Sequence, residues 1–141
     1  MSSKNIRKKI NILAISGSLR KESSNTILLN ATASLAPEDV EIKIYQGMGN
    51  LPLFNPDLDE MKQPEVVNLK SQIKLAHGLL IASPEYAHGI TGVLKNALDW
   101  LVKSEEFVNK PVAIVNSSSR AVHAHASLME IVKTMTGQII P

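Results

Sequence analysis

The sequence predicts an α/β domain of the doubly wound kind, a parallel sheet with helices on both faces. Short β-branched or apolar runs alternate along the chain with segments whose apolar residues recur at helical spacing. Each helical crossover returns the chain to the same end of the sheet, so alternation of this kind produces parallel strands. The two most polar turns both follow such a run and both open a helical pattern, which places them at strand carboxyl ends, where ligands bind in open α/β sheets.

The elements follow in order. Ile10–Ile15 is apolar and β-branched, ends at Ser16-Gly17, and reads as a buried strand. A helix follows, with Ser23, Ser24 or Asn25 as N-cap, an apolar face of Ile27, Leu28, Ala31 and Leu35, and Pro37 beyond its end. Val40–Tyr45 alternates strictly and predicts a strand with one face more exposed. From Gln46 to Gln63 the chain is irregular and carries Gly47, Gly49, Pro52 and Pro56, and loops this long are often functional. Pro64 suits a first helical position, with Val66, Leu69, Ile73 and Ala76 inward. Gly78–Ala82 is the third strand, followed by a broad helical stripe of Ile90, Val93, Leu94, Ala97, Leu98 and Leu101. Pro111–Val115 is the fourth strand, and Leu128, Ile131, Val132 and Met135 mark the fourth helix. Gln138-Ile-Ile-Pro141 reads as the entry to a fifth strand, with nothing after it. There is no internal repeat and no inter-domain linker, so residues 1–141 are expected to form a single domain.

Bulk composition excludes several classes of function. With 141 residues, 44% hydrophobic and 20% charged, the chain is an ordinary globular domain able to bury a core. A net charge of +2 with scattered basic residues argues against a nucleic-acid or anionic-membrane partner. The local excess at Lys4, Arg7, Lys8 and Lys9 reads as a solvated tail. Without cysteine there is no disulfide framework, thiol catalysis or thiolate metal site. No run approaches the roughly 20 apolar residues of a membrane helix, and no signal-peptide pattern is present. A cytoplasmic protein is expected.

The first turn, Ser16-Gly-Ser-Leu-Arg-Lys-Glu-Ser-Ser-Asn-Thr26, has the chemistry of a phosphate loop. Ser18, Ser23 and Asn25 supply side-chain donors, Arg20 a bidentate fork, and the helix start the positive end of a dipole. Gly17 permits close backbone approach. Neither G-x-G-x-x-G nor G-x-x-x-x-G-K-[ST] is present, which disfavours dinucleotides on the first pattern and triphosphates on the second. The alternative is an ordinary strand-to-helix turn whose serines cap the helix.

The second turn, Ser83-Pro-Glu-Tyr-Ala-His-Gly89, lies one crossover later, where a flat ring joined to that phosphate would rest. Its amides can meet an acceptor-rich ring edge and Tyr86 can cover a face. Together the two turns point to flavin mononucleotide. Asn96, Asp99 and Trp100 read equally well as packing with local hydrogen bonds, and Trp100 also as an interface residue. The third turn, Asn116-Ser-Ser-Ser-Arg120, can bring hydroxyls to the ring edge and Arg120 to a nicotinamide cofactor's phosphate, with ordinary turn chemistry an even alternative.

His77, His88, His123 and His125 form no metal-binding spacing, and no metal is expected. His77 belongs at the base of the third strand, the other three near the ligand end. No G-x-S-x-G elbow supports a serine hydrolase.

On these residues the chain resembles the NADPH-dependent FMN reductase family of flavodoxin-like proteins. Three pieces carry the resemblance: Gly17-Ser-Leu-Arg20 with Ser23 and Asn25, Leu51-Pro-Leu-Phe-Asn-Pro-Asp57, and Ser83–Gly89 continuing to Leu94-Lys-Asn-Ala-Leu-Asp-Trp100. It implies a three-layer α/β/α fold, against which this chain lacks the fifth strand and the last helix and is C-terminally truncated. It also implies that Ser18, Arg20, Ser23 and Asn25 hold the FMN phosphate, that Pro84, Glu85 and Tyr86 flank the ring, and that Ser117, Ser118 and Ser119 close its edge. Ser16, Thr26 and Ala87 complete the expected cofactor-binding set, with no dedicated catalytic side chain. The resemblance also implies that many relatives carry glycines in the third turn and Asn after the Tyr, where this chain has serines and Ala87.

The implied activity is hydride transfer from NADPH or NADH to FMN and onward to a small-molecule acceptor, such as a quinone, azo compound, metal oxyanion or flavin, in a homodimer or homotetramer. The alternatives are an FMN-binding electron carrier or redox sensor without NAD(P)H turnover, and a four-stranded remnant that binds nothing. A pI of 8.9 weighs against the usually acidic carriers.

Overall fold

The computed structural model describes residues 8–141; Lys4 and Arg7 of the basic N-terminal cluster lie outside them. The elements are β1 (Ile10–Ser16), α1 (Ser24–Ser34), β2 (Val40–Ile44), α2 (Pro64–Leu75), β3 (Gly78–Ala82), α3 (Gly92–Leu101), β4 (Pro111–Val115), α4 (Val122–Thr134) and β5 (Gln138–Ile139). Short 3-10 turns at Met48–Asn50 and Glu60–Lys62 interrupt the long connection between β2 and α2. All strand pairs are parallel, in the order β2-β1-β3-β4-β5. The expected lack of a fifth strand is corrected. Gln138 and Ile139 do pair with Pro111 and Val112, as a two-residue stub, and among the described residues no helix follows it.

The larger core lies on one face of the sheet. There Leu13, Ile15, Leu79, Ile81 and Val112 meet Val66, Leu69 and Ile73 of α2, Leu94, Leu98 and Trp100 of α3, and Leu128 and Val132 of α4. Helix α1 alone packs on the other face, where Leu29 meets Ala14, Leu80 and Ala82. The three layers are therefore unequal. The inward stripe of α2 is the predicted one: Val66, Leu69 and Ile73 are fully buried, with Ala76 at the C-cap.

Helix α1 departs from the expected face. Its buried residues are Asn25 and Leu29, whereas Ile27 is 57% and Leu35 83% exposed, and Ala31 is exposed as well. Polar contacts set this rotation. The Thr26 hydroxyl bonds that of Ser16 at 2.7 Å, and the Asn25 side-chain oxygen accepts from the Ser117 amide at 3.3 Å. With those two side chains anchored, the helix cannot turn its Ile27-Leu35 edge to the sheet.

The strand order reverses between β1 and β3, and there the two carboxyl ends are joined directly. The Gly17 amide donates to Ala82 O at 2.7 Å, and the buried Thr91 hydroxyl donates to Gly17 O at 2.5 Å while accepting from the Leu94 amide at 3.3 Å as the α3 N-cap. A Cβ on Gly17 would stand 2.8 Å from the Ser83 Cβ, so glycine is what allows the two loops to approach. Thr91→Val keeps the side-chain shape but leaves Gly17 O and a helix-start amide without partners. We expect a loss of about 1–3 kcal/mol in urea unfolding.

Between α3 and β4, the Ser104 hydroxyl donates to Glu106 Oε2 at 2.5 Å, and Phe107 enters the core beside them. This bond holds the Glu106 carboxyl below the usual glutamate range, so its contribution is complete above the unfolded value and fades as pH falls through the lowered folded one. Ser104→Ala should therefore flatten the stability-pH curve below about pH 4.3 and leave its slope near neutrality unchanged.

Candidate functional site

The carboxyl ends of β1, β3 and β4 carry three loops that meet around the first turn of α1. Ser24, Asn25, Pro84, Glu85, Asn116, Ser117, Ser118, Arg120 and Ala121 line a cleft of about 270 Å³. On the other side of the same helical turn a second depression of about 270 Å³ is lined by Ser16, Ser18, Arg20, Lys21 and Thr26, with Tyr45, Gln46 and Met48 from the connection after β2. These two spaces hold nine of the thirteen predicted cofactor residues. Of the other four, Ser23 is buried as the α1 N-cap, and Tyr86, Ala87 and Ser119 are exposed on their loops.

Several of these groups already have partners. The Ser16 and Thr26 hydroxyls bond each other and clasp the loop to α1, and the Asn25 oxygen holds the third loop through Ser117. The Ser24 and Ser117 hydroxyls lie 2.8 Å apart, a second tie between α1 and that loop. Others point to ligand use. Ser23 makes no side-chain cap, although it stands at the start of an eleven-residue helix with no acidic residue in its first turn. Ser18 Oγ accepts from the Arg20 amide at 3.2 Å and keeps its own proton to donate. Among the described residues Arg20 enters no ion pair. A helix start, two hydroxyls and an unpaired guanidinium form a donor set suited to a phosphate monoester.

The second loop is a tight hairpin turn. Tyr86 and Gly89 exchange backbone hydrogen bonds of 3.0 Å in both directions, so the Tyr86 amide is engaged within the loop. Ala87 and His88 between them sit at φ 50° and 59°, a left-handed pair that Asn-Gly would adopt readily. Nothing in the sequence announces this turn, because its only glycine stands at 89. The Glu85 carboxylate accepts the Ala124 amide at 2.6 Å.

Asn96 and Trp100 hydrogen-bond to a segment more than forty residues earlier in the chain. Trp100 Nε1 and Asn96 Nδ2 both donate to Pro52 O, at 2.8 and 3.0 Å, and Asn96 Oδ1 accepts from the Phe54 amide at 2.8 Å. Phe54 packs edge-on to Trp100 with ring centroids 5.1 Å apart. The Leu51–Asp57 segment is thus fastened to α3. His77 accepts from the Asn11 amide at the base of β3, far from the loops. His88 and His123 stack at 4.2 Å. Among the described residues no three His, Asp or Glu side chains group as metal ligands, and no helix is long and apolar enough to cross a membrane. Sequence reasoning missed Ser24 in the first space and Lys21, Tyr45, Gln46 and Met48 in the second, and also Thr91, whose helix-start signal was legible but whose bond to Gly17 is long-range.

A parallel sheet of order 2-1-3-4-5 with a hydroxyl-rich loop at the β1/β3 switch point defines a flavodoxin-like protein. Within that class, residues 10–141 match the family model described as NADPH-dependent FMN reductase, and the chain belongs to that family. It is 43% identical over 117 residues to a 2-hydroxy-1,4-benzoquinone reductase from a Burkholderia species, a match covering 80% of this chain and 63% of that protein. It is 40% identical over 113 residues to an NAD(P)H-dependent FMN reductase from Pseudomonas aeruginosa, covering 78% and 60%. The chain thus spans somewhat under two thirds of the length of these relatives. Among solved structures, the flavoenzyme NAD(P)H:(acceptor) oxidoreductase FerB from Paracoccus denitrificans superposes with a TM-score of 0.86 at 28% identity, covering 94% of this chain and 75% of that one.

Because the left-handed region penalises a Cβ by about 1–2 kcal/mol, Ala87→Gly should stabilise the fold by about 0.5–1 kcal/mol once the added freedom of the unfolded chain is subtracted. Thermal unfolding of the two proteins side by side tests this.

Proposed function

We propose that this chain is the flavin-binding domain of a cytoplasmic NAD(P)H-dependent oxidoreductase, holding FMN at the β1/β3 switch point and reducing a quinone-type acceptor. The observation that carries this reading is the donor set around the first turn of α1, with the Ser83–Gly89 and Asn116–Arg120 loops facing each other across the adjoining cleft. The quinone reductase and FMN reductase names of its relatives support the choice of donor and acceptor.

In this reading Ser18, Ser23, Arg20 and the α1 amides take the phosphate, and the Ser16-Thr26 clasp keeps the loop shaped around it. The backbone of Pro84–Ala87 borders one edge of the ring, while Ser117, Ser118 and Ser119 bring donors to its polar edge, where negative charge gathers on reduction. Bound FMN supplies the hydride and electron chemistry, so binding and orientation are what the chain's own residues contribute. Arg120, on the rim of the cleft, is placed to attract the anionic nicotinamide cosubstrate. Phe54, Leu58 and Val102 are 42%, 38% and 59% exposed and border one depression with Trp100, an apolar surface that suits a homodimer or homotetramer.

Titration of the chain with FMN, followed by flavin fluorescence, tests the site. We expect saturable one-to-one binding, with Arg20→Ala raising the Kd about tenfold to a hundredfold through loss of charge-assisted bonds. Steady-state oxidation of NADH and NADPH with 1,4-benzoquinone then tests turnover. A chain that binds FMN but oxidises neither nicotinamide would be an electron carrier instead.

A further inference from the structure

The Ser83–Gly89 turn holds two consecutive non-glycine residues in the left-handed region, and such a conformation persists only where its surroundings over-determine it. Two contacts, both to the start of α4, do so. The Glu85 carboxylate accepts the amide of Ala124, the third residue of that helix. His88 stacks on His123 at 4.2 Å with an interplanar angle of 20°. Helix α4 provides no cap of its own: its N-cap residue is Ala121, and its first turn contains no acid. A carboxylate arriving from 39 residues away therefore fills the place of both the capping oxygen and the anion that a helix start favours. Attachment at two points, one on each side of Tyr86, prevents the turn from pivoting.

We propose that Glu85 is a positioning residue, whose carboxylate caps α4 across the cleft and so holds the strained Tyr86–Gly89 turn where its backbone faces the flavin ring. This rests on the flavin reading above, and adds to it that the loop's pose is fixed from α4. Its side chain works through α4; its backbone borders the cleft. Glu85 thereby couples two of the three walls of the cleft, the loop after β3 and the loop after β4. The glutamate's charge is secondary, because a neutral carboxamide oxygen in the same place also accepts an amide proton.

The test uses the full chain in two states. In the FMN-free protein, amide exchange followed by NMR should be about tenfold faster at Ala124 in Glu85→Ala, with matching acceleration at Tyr86 and Gly89. His123→Ala should loosen Tyr86 and Gly89 to a smaller degree while Ala124 stays protected. In the FMN titration, Glu85→Ala should raise the Kd about tenfold, and Glu85→Gln should remain within about fivefold of the unmodified chain. Loop exchange unchanged in both Glu85→Ala and His123→Ala overturns the proposal. So does a Glu85→Gln protein with Ala124 still protected but FMN binding as weak as in Glu85→Ala, since the carboxylate would then act on the ligand directly. An unmodified chain that binds no FMN overturns the flavin reading, and the exchange results alone then decide whether the strap exists.

Discussion

The contact on which the other parts of the site depend is the joining of β1 and β3 at Gly17. Its amide and carbonyl are both committed, to Ala82 and to the Thr91 hydroxyl, and its missing side chain admits Ser83. This one residue sets the distance between the hydroxyl-rich loop and the loop that would carry the ring. Through Thr91 it also sets where α3 begins. A larger residue would push apart the two loops whose closeness makes a single composite site from two strand ends. The switch point is a crevice in any doubly wound sheet; here a three-way hydrogen-bonded junction determines its width.

The two faces of the sheet are built by different forces. On the α2, α3 and α4 side an extended apolar cluster defines the packing. On the α1 side the cluster is small, and side-chain hydrogen bonds at the helix's first turn decide its rotation. That arrangement leaves Ile27 and Leu35 facing outward, and it aims the helix start at the cleft. A helix oriented by polar groups at one end gathers its unsatisfied amides and its anchoring hydroxyls in the same turn.

Sequence periodicity was sufficient for the strand order class, for all four helices and for the buried stripe of α2, since these depend on local spacing and on burial of large apolar side chains. It failed for α1, where Ile27, Ala31 and Leu35 form a plausible apolar face that polar contacts to Ser16 and Ser117 override. The fifth strand was underestimated for a related reason. The sequence marks Gln138-Ile-Ile as a strand entry, but two residues carry no periodicity, and the Gln138-to-Lys110 and Ile140-to-Val112 bonds are what show them docked. At the candidate site, the residues of the first loop could be singled out together because they are contiguous. What could not be read were the long-range pairings, Thr91 with Gly17, Glu85 with Ala124, and Ser24 with Ser117, each linking residues 39 or more positions apart. Nor could the left-handed pair at Ala87 and His88, whose residue types favour no such turn.

These pairings share a physical consequence. The walls of the cleft are held by single hydrogen bonds between loops, each contributing about 0.5–1.5 kcal/mol, whereas the fold rests on fully buried side chains that contribute about 1.5–3 kcal/mol apiece. Loss of one loop bond therefore changes the shape of the cleft while leaving the sheet folded. The serines of the third turn and the left-handed pair at Ala87 and His88 fall within this weakly held layer. The first loop is held differently, by the Ser16-Thr26 clasp at the start of a helix and by the junction at Gly17. Substitutions in the second and third loops can therefore reshape the cleft at little cost to folding, whereas a side chain at Gly17 displaces two strand ends at once.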